Sequence, residues 1–234
     1  MITNREAFRK GHITARPAEN KDSNISENIS GGIIPLALTE KRDGFIYIPK
    51  NYNKNSPTPV ALVMHGAGGQ ADHGLDLLRQ YADQRNIILI APASREATWD
   101  IIMKDSFDAD VIFINQALSI VFNRFNIDTA HIAIGGFSDG ASYALSIGLS
   151  NGDLFTHIIA FSPGFSYTVA KKGKPTVFIS HGTNDGVLPI NPCSRRIVAQ
   201  LKSLDYNVNY QEFEGEHVIP AQISANAVDW FLGS

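Results

Sequence analysis

Residues 134–140 read IGGFSDG, with the apolar pair Ile132 and Ala133 ahead of them and the helix-compatible run Ala141 to Leu149 behind. That order is strand, sharp turn, helix. A serine at the apex of such a turn sits on strained backbone with its hydroxyl pushed outward. The chain can close that tightly only if the residues two before and two after lack a Cβ. Gly136 and Gly140 meet the demand around Ser138. A five-residue pattern with three fixed positions also arises by accident, so its meaning rests on what surrounds the turn.

On both sides the chain alternates between strands and helices. Upstream, Ile33 to Leu38 and Gly44 to Ile48 read as strands separated by the turn residues 41–44. After the proline-rich NSPTP, the run PVALVMHG at 59–66 is continuously apolar, as suits a strand buried on both faces of a sheet. A helix follows at about 72–84, a strand at 87–92, an irregular stretch at 93–107 and an amphipathic helix at about 108–125. Beyond the serine turn and its helix come strands at 157–163, 176–182 and 208–213, with helices near 193–204 and 221–232. Strands separated by helices imply right-handed crossovers. The spacing therefore predicts an α/β fold with a mostly parallel central sheet of about seven to eight strands and helices on both faces. In such sheets ligands bind beyond the C-terminal strand ends. HGAGG at 65–69, GFSDG at 136–140, HGTNDG at 181–186 and GEHVIP at 215–220 all fall there.

Residues 1–32 read as a polar N-terminal arm, with a short edge strand at His12 to Arg16 and a mobile stretch from Asn20 to Ser30. Residues 33–234 read as a single domain. Of the 234 residues, 44% are hydrophobic and 18% charged, an ordinary globular balance. A net charge of −3 offers no electrostatic case for nucleic acid or an anionic membrane surface, which leaves small neutral substrates. Cys193 is the one cysteine, so no intrachain disulfide can form and nothing points to a structural zinc site. No stretch has the apolar length of a membrane span, and the N-terminus lacks the apolar core of a signal segment. The expected location is the cytoplasm.

A serine hydroxyl is a weak nucleophile at neutral pH and needs a base within hydrogen-bond reach, itself oriented by an acid. Among seven histidines, His65 and His181 open glycine turns, where a ring braces backbone, and His131 and His157 begin strands. His12 and His73 stand far from other chemistry. His217 remains, in the loop between the last strand and the last helix. Asp185, beyond the strand TVFIS, is the candidate acid, although Asp185 and Gly186 also make an ordinary turn pair. The order Ser138, Asp185, His217 is the order that a strand-turn-helix serine site of this kind uses. Acyl transfer further needs donors where charge develops on the carbonyl oxygen. The Asp139 amide opens the helix after the turn, and Ala67 lies in a turn whose glycines free the backbone to point inward. HGAGG would alternatively cradle phosphate, but no GKS or GKT continues it.

With HGAGG, GGFSDG, HGTNDGVLP and GEHVIP in place, the chain resembles serine esterases of the α/β-hydrolase superfamily over about residues 33–232. Within them it is most similar to the compact phospholipase/carboxylesterase branch that includes acyl-protein thioesterases, with poly(hydroxyalkanoate) depolymerase-like and dienelactone hydrolase-like esterases as neighbours. The resemblance implies a three-layer α/β-hydrolase fold. It maps Ser138, Asp185 and His217 onto the catalytic triad and Ala67 and Asp139 onto the oxyanion hole. It implies hydrolysis of carboxylic esters through an acyl-enzyme on Ser138, with no metal or organic cofactor. Two positions depart from the neighbours: serine stands where dienelactone hydrolases carry cysteine, and Asp139 where the thioesterases usually carry glutamine, so its carboxylate would disfavour anionic substrates.

No insertion long enough for a large lid separates the late strands, so the acyl pocket should be shallow and suited to short or medium chains. Its expected walls are Gly66, Trp99, Ile101, Met103 and Phe165, although Trp99 and Phe165 could equally plug the ends of the core. The alternatives to a small-molecule esterase are an acyl-thioesterase or lysophospholipase, a serine peptidase, and a non-catalytic member of the fold used as a binding module.

Overall fold

The computed structural model describes residues 4–17 and 30–233. Its centre is one eight-stranded sheet: β1 (Gly32–Pro35), β2 (Gly44–Ile48), β3 (Thr58–Met64), β4 (Ile88–Pro92), β5 (Ile127–Phe137), β6 (His157–Phe161), β7 (Thr176–Gly182) and β8 (Val208–Phe213). In space their order is β1-β2-β4-β3-β5-β6-β7-β8. The first two strands run antiparallel to their neighbours, and β4 through β8 with β3 are parallel. All six parallel strands therefore deliver their C-terminal ends to one edge.

Side chains alternate between faces along each strand, and that alternation divides the core in two. Val60, Leu62 and Met64 join Ile134, Ile158 and Ile179 on one face, beneath α5 (Ala109–Arg124), α6 (Asp139–Ser150) and α7 (Arg196–Ser203). Ala61, Val63, Leu89, Ala133 and Phe178 face the other way, beneath α2 (Ala71–Asp76), α3 (Arg79–Arg85) and α8 (Ala221–Leu232). Helices on both faces explain why these strands read as continuous apolar runs.

Three expectations change. The helix expected at 72–84 is two helices, because Leu77 and Leu78 donate to Gly74 and Leu75, tightening the turn so that both Leu75 and Leu78 reach the core. The irregular stretch at 93–107 contains a short helix, α4 (Asp100–Lys104). The edge strand expected at His12 to Arg16 pairs with no strand. Its backbone is held instead by side-chain amides: Ile13 N–H donates to Asn151 Oδ1, and Thr14 and Ala15 N–H to Asn115 Oδ1. Ile13 and Ala15 are buried, and Phe8 of α1 (Asn4–Arg9) packs on the same cluster, so this part of the arm belongs to the packed body. The stretch expected to be mobile lies, apart from Ser30, outside the described residues. Among the described residues, no helix is long and apolar enough to cross a membrane.

Candidate active site

The turn between β5 and α6 is as tight as the glycines of GGFSDG suggest. A Cβ on Gly136 would come within 2.4 Å of Gly140 backbone, and one on Gly140 within 2.4 Å of the Met64 carbonyl oxygen. Ser138 adopts φ 57° and ψ −119°, a conformation that side-chain-bearing residues hold only where packing enforces it. Its amide donates to the Phe161 carbonyl at 2.9 Å, fastening the apex to the end of β6.

His217 and Asp185 arrive from neighbouring strand ends. Ser138 Oγ lies 2.9 Å from His217 Nε2, and His217 Nδ1 lies 2.6 Å from Asp185 Oδ2. With the serine hydroxyl donating to Nε2, the imidazole keeps its proton on Nδ1 and donates it to the carboxylate. Asp185 is fully buried at its side chain and receives the Val187 and Leu188 amides on Oδ1 at 2.9 and 2.8 Å. Burial alone would raise this carboxyl. The Leu188 amide, His217 and the Val187 amide outweigh it, so the group sits below the ordinary carboxylate value and stays charged. A neutral imidazole between a hydroxyl and a buried carboxylate can take the hydroxyl proton as the oxygen attacks an electrophile.

The two candidate oxyanion donors are the amides of Ala67, which follows Gly66, and Asp139, which follows Ser138. The Gly66 position is within 3.3 Å of Ser138 Cβ, measured from the Cβ it lacks. Gly68 N–H donates to Ala97 O and Gly69 N–H to Gly66 O. Among the described residues, the Ala67 amide pairs with no backbone carbonyl, and the Asp139 amide, on the first residue of α6, precedes the helix's own hydrogen-bond ladder. Residues 97–99 join the two segments. Ala97 holds Gly68, Trp99 Nε1 donates to His65 O at 3.0 Å, and Thr98 Oγ1 donates to the half-buried Asp139 carboxylate at 2.7 Å.

Of the expected pocket walls, the structure keeps two near one another. A groove of about 350 Å³ is lined by Ile101, Ile102, Asp105, Phe165 and Tyr167. Its Phe165 wall is tied by the Ser142 hydroxyl, which accepts the Gly164 and Phe165 amides one helical turn beyond Ser138. Trp99 does not line it. The indole is fully buried, stacked on Tyr143 at 5.0 Å and tilted against His65 at 4.8 Å, because its N–H finds the His65 carbonyl inside the core. Met103 stands exposed on α4, outside the groove lining, because α4 turns Ile101 rather than Met103 inward.

Four residues at the site carry roles that their sequence context did not single out. Phe137 packs its ring 4.6 Å from that of His217, Thr98 fixes Asp139, and Ser142 anchors the groove loop. His181 braces backbone as its glycine turn suggests, donating from Nε2 to Leu188 O at 2.8 Å, but the same nitrogen is 3.1 Å from Asp185 Oδ2. The recurrence of serine at 138, 142, 146 and 150 is the one signal that could have marked Ser142. Each of the last three hydroxyls bonds the carbonyl four residues back. Among the described residues, no group of three or more His, Cys, Asp or Glu side chains is arranged to hold a metal ion.

A family model described as "Putative esterase" matches residues 36–176, more than half of the chain. Over 164 residues the chain is 27% identical to a bifunctional acetylxylan esterase/xylanase of Neocallimastix patriciarum, covering 63% of this chain and 22% of that protein. Over 184 residues it is 26% identical to a protein named "Probable feruloyl esterase C" from Aspergillus clavatus, covering 74% of this chain and 65% of that one. The chain thus spans less than two thirds of these relatives. Among solved structures, a ferulic acid esterase of Anaeromyces mucronatus with bound ferulic acid shares the fold at TM-score 0.61 and 20% identity, covering 89% of this chain and 92% of the other.

Proposed function

The chain belongs to the esterase family whose model spans residues 36–176, and on that premise we propose that it is a serine hydrolase that cleaves carboxylic esters through an acyl-enzyme on Ser138. The observation that carries the reading is the unbroken relay from Ser138 Oγ through His217 to Asp185, at 2.9 and 2.6 Å. His217 takes the serine proton as Oγ attacks the ester carbonyl. The Ala67 and Asp139 amides receive the developing oxyanion. His217 then returns the proton to the departing alcohol, and a water molecule, activated by the same imidazole, releases the acid.

The groove beside Phe165 and Tyr167 favours an apolar acyl group of modest length, short-chain or aromatic. Relatives named for feruloyl and acetylxylan esters support this range. The buried, unpaired Cys193 supports a cytoplasmic location. A fluorophosphonate probe should label the wild-type protein and leave Ser138→Ala unlabelled; equal labelling would overturn the nucleophile. In a series of nitrophenyl acetate, butyrate, octanoate and laurate beside methyl ferulate, kcat/KM should be highest for acetate, butyrate or ferulate. A maximum at laurate would overturn the assignment of the groove.

A further inference from the structure

We propose that His181 is a second histidine of the relay, a positioning residue that holds the Asp185 carboxylate from its buried side while His217 uses it from the other. The inference rests on the functional reading above. His181 is the last residue but one of β7, and its side chain is completely buried. Its Nε2 lies 2.8 Å from Leu188 O, which can only accept, so that nitrogen carries the proton. The same N–H is 3.1 Å from Asp185 Oδ2, the oxygen that takes His217 Nδ1 at 2.6 Å. On the far side of the ring, Nδ1 is 2.5 Å from Ser194 Oγ, and it accepts that hydroxyl's proton.

These contacts close a ring. Leu188 N–H holds Asp185 Oδ1, Leu188 O holds His181, and His181 reaches Asp185 Oδ2. Ser194 sits on a π turn, Asn191–Arg195, in which Arg195 N–H reaches back to Ile190 O. Such wide turns recur where a helix must deliver a side chain to a functional site. Here the turn supplies Ser194, also completely buried, to the ring that needs an O–H donor. Other charged or titratable groups near this cluster are His217, Glu212 on β8, itself held by Arg195, and Cys193, which lies near Asp185 and near Arg196. Burial pushes the His181 imidazole below its ordinary value, against the pull of the Leu188 carbonyl and Asp185, which keeps it neutral.

A purely structural brace would affect stability alone. A positioning residue acts on the relay in two ways. It fixes the orientation of Oδ2 toward His217, and it draws on that oxygen's charge. Without it, Asp185 would wander, and its full charge would fall on His217, favouring the protonated imidazole and moving the acid limb of the reaction to higher pH.

The test compares wild type, His181→Leu, His181→Gln and Ser194→Ala. Gln keeps a donor near the Nε2 position, whereas Leu removes it at similar bulk. Fluorophosphonate labelling rates are followed against pH, thermal midpoints are recorded, and proton NMR follows the deshielded Nδ1 proton of His217. Among folded variants, labelling of His181→Leu should fall about tenfold, a fraction of the hundredfold or more that general base catalysis supplies. Its acid limb should move up by roughly 0.5 pH, and the Nδ1 proton should shift. Gln should recover most of the rate, and Ser194→Ala should fall between Leu and wild type. A folded Leu variant with wild-type rate, limb and proton signal would overturn the proposal, as would equal losses in Leu and Gln. Should wild type itself fail to label, the esterase reading falls, and the NMR comparison still decides whether His181 acts on the Asp185–His217 pair.

Discussion

At the scale of single residues the site is decided by close approach. Gly140 has backbone oxygens of Met64 and His65 within 2.5 Å of where a Cβ would stand, with no flexible side chain to yield. Gly140→Ala should therefore cost about 3 kcal/mol of stability, the upper range for overpacking, read from denaturant melts; a loss within error of zero would show that the turn can relax. Thr98 acts more gently. Its hydroxyl holds the Asp139 carboxylate at 2.7 Å and so steadies the helix end that offers the Asp139 amide. Thr98→Val should lower kcat about fivefold, the equivalent of one ordinary hydrogen bond, with KM little changed. A change in KM alone would instead place Thr98 in substrate binding. GFSDG and its order relative to Asp185 and His217 were legible in the chain. Thr98 as the partner of Asp139 and His181 as a second partner of Asp185 were not, since they reach these carboxylates only when separate strand ends meet.

Among the elements, α6 does more than follow Ser138. Its hydroxyls at Ser142 and Ser146 back-bond within the helix and accept the Gly164, Phe165 and Tyr167 amides, so one helix fixes both the serine turn and the groove wall. Ser142→Ala would leave two partly buried donors without their acceptor and free the loop. KM for methyl ferulate should rise about fivefold, the equivalent of one lost hydrogen bond, while labelling by a small fluorophosphonate stays within about twofold. Equal losses in both assays would mean that the change has disturbed the serine turn itself. Element boundaries carried the same lesson. The break between α2 and α3 follows from placing Leu75 and Leu78 under the sheet, and periodicity at threes and fours cannot distinguish one helix from two short ones that share a face.

For the molecule as a whole, buried titratable groups oppose one another between about pH 4 and 7. Asp110 is pushed up to about 7 by burial and by Asp100, whose own carboxyl is raised by burial. Holding protons that the unfolded chain lacks, this pair contributes stability that is lost as pH rises through 7. His157 is lowered to about 4 by burial and by His131, and burial also depresses His12, His65 and His181. These rings lack protons that the unfolded chain holds, so their contribution is lost as pH falls from 6.5 toward 4. The Asp110 and His157 shifts are of similar size, and three further imidazoles stand against one further carboxyl. The thermal midpoint should therefore fall on acidification from pH 6.5 to 4.5, and His157→Gln should flatten the slope. A midpoint that climbs on acidification would make the carboxyl pair dominant.

The alternation of strands and helices, the expected parallel sheet and the positions of Ser138, Asp185 and His217 along the chain were all readable from the sequence. Each follows from local periodicity or from glycine where backbone must nearly touch. Only the tertiary structure decided that Trp99 belongs to the core and Phe165 to the groove. Both are aromatic residues just past a strand end, and they differ in whether a hydrogen-bond acceptor and a stacking partner wait inside. It also decided that residues 11–16 join the body, through Asn115 and Asn151 roughly a hundred or more positions away. It likewise decided that His181 faces Asp185. Such partners are set by packing across strands, and no local pattern in the chain encodes a contact that exists only once the strands have been brought side by side.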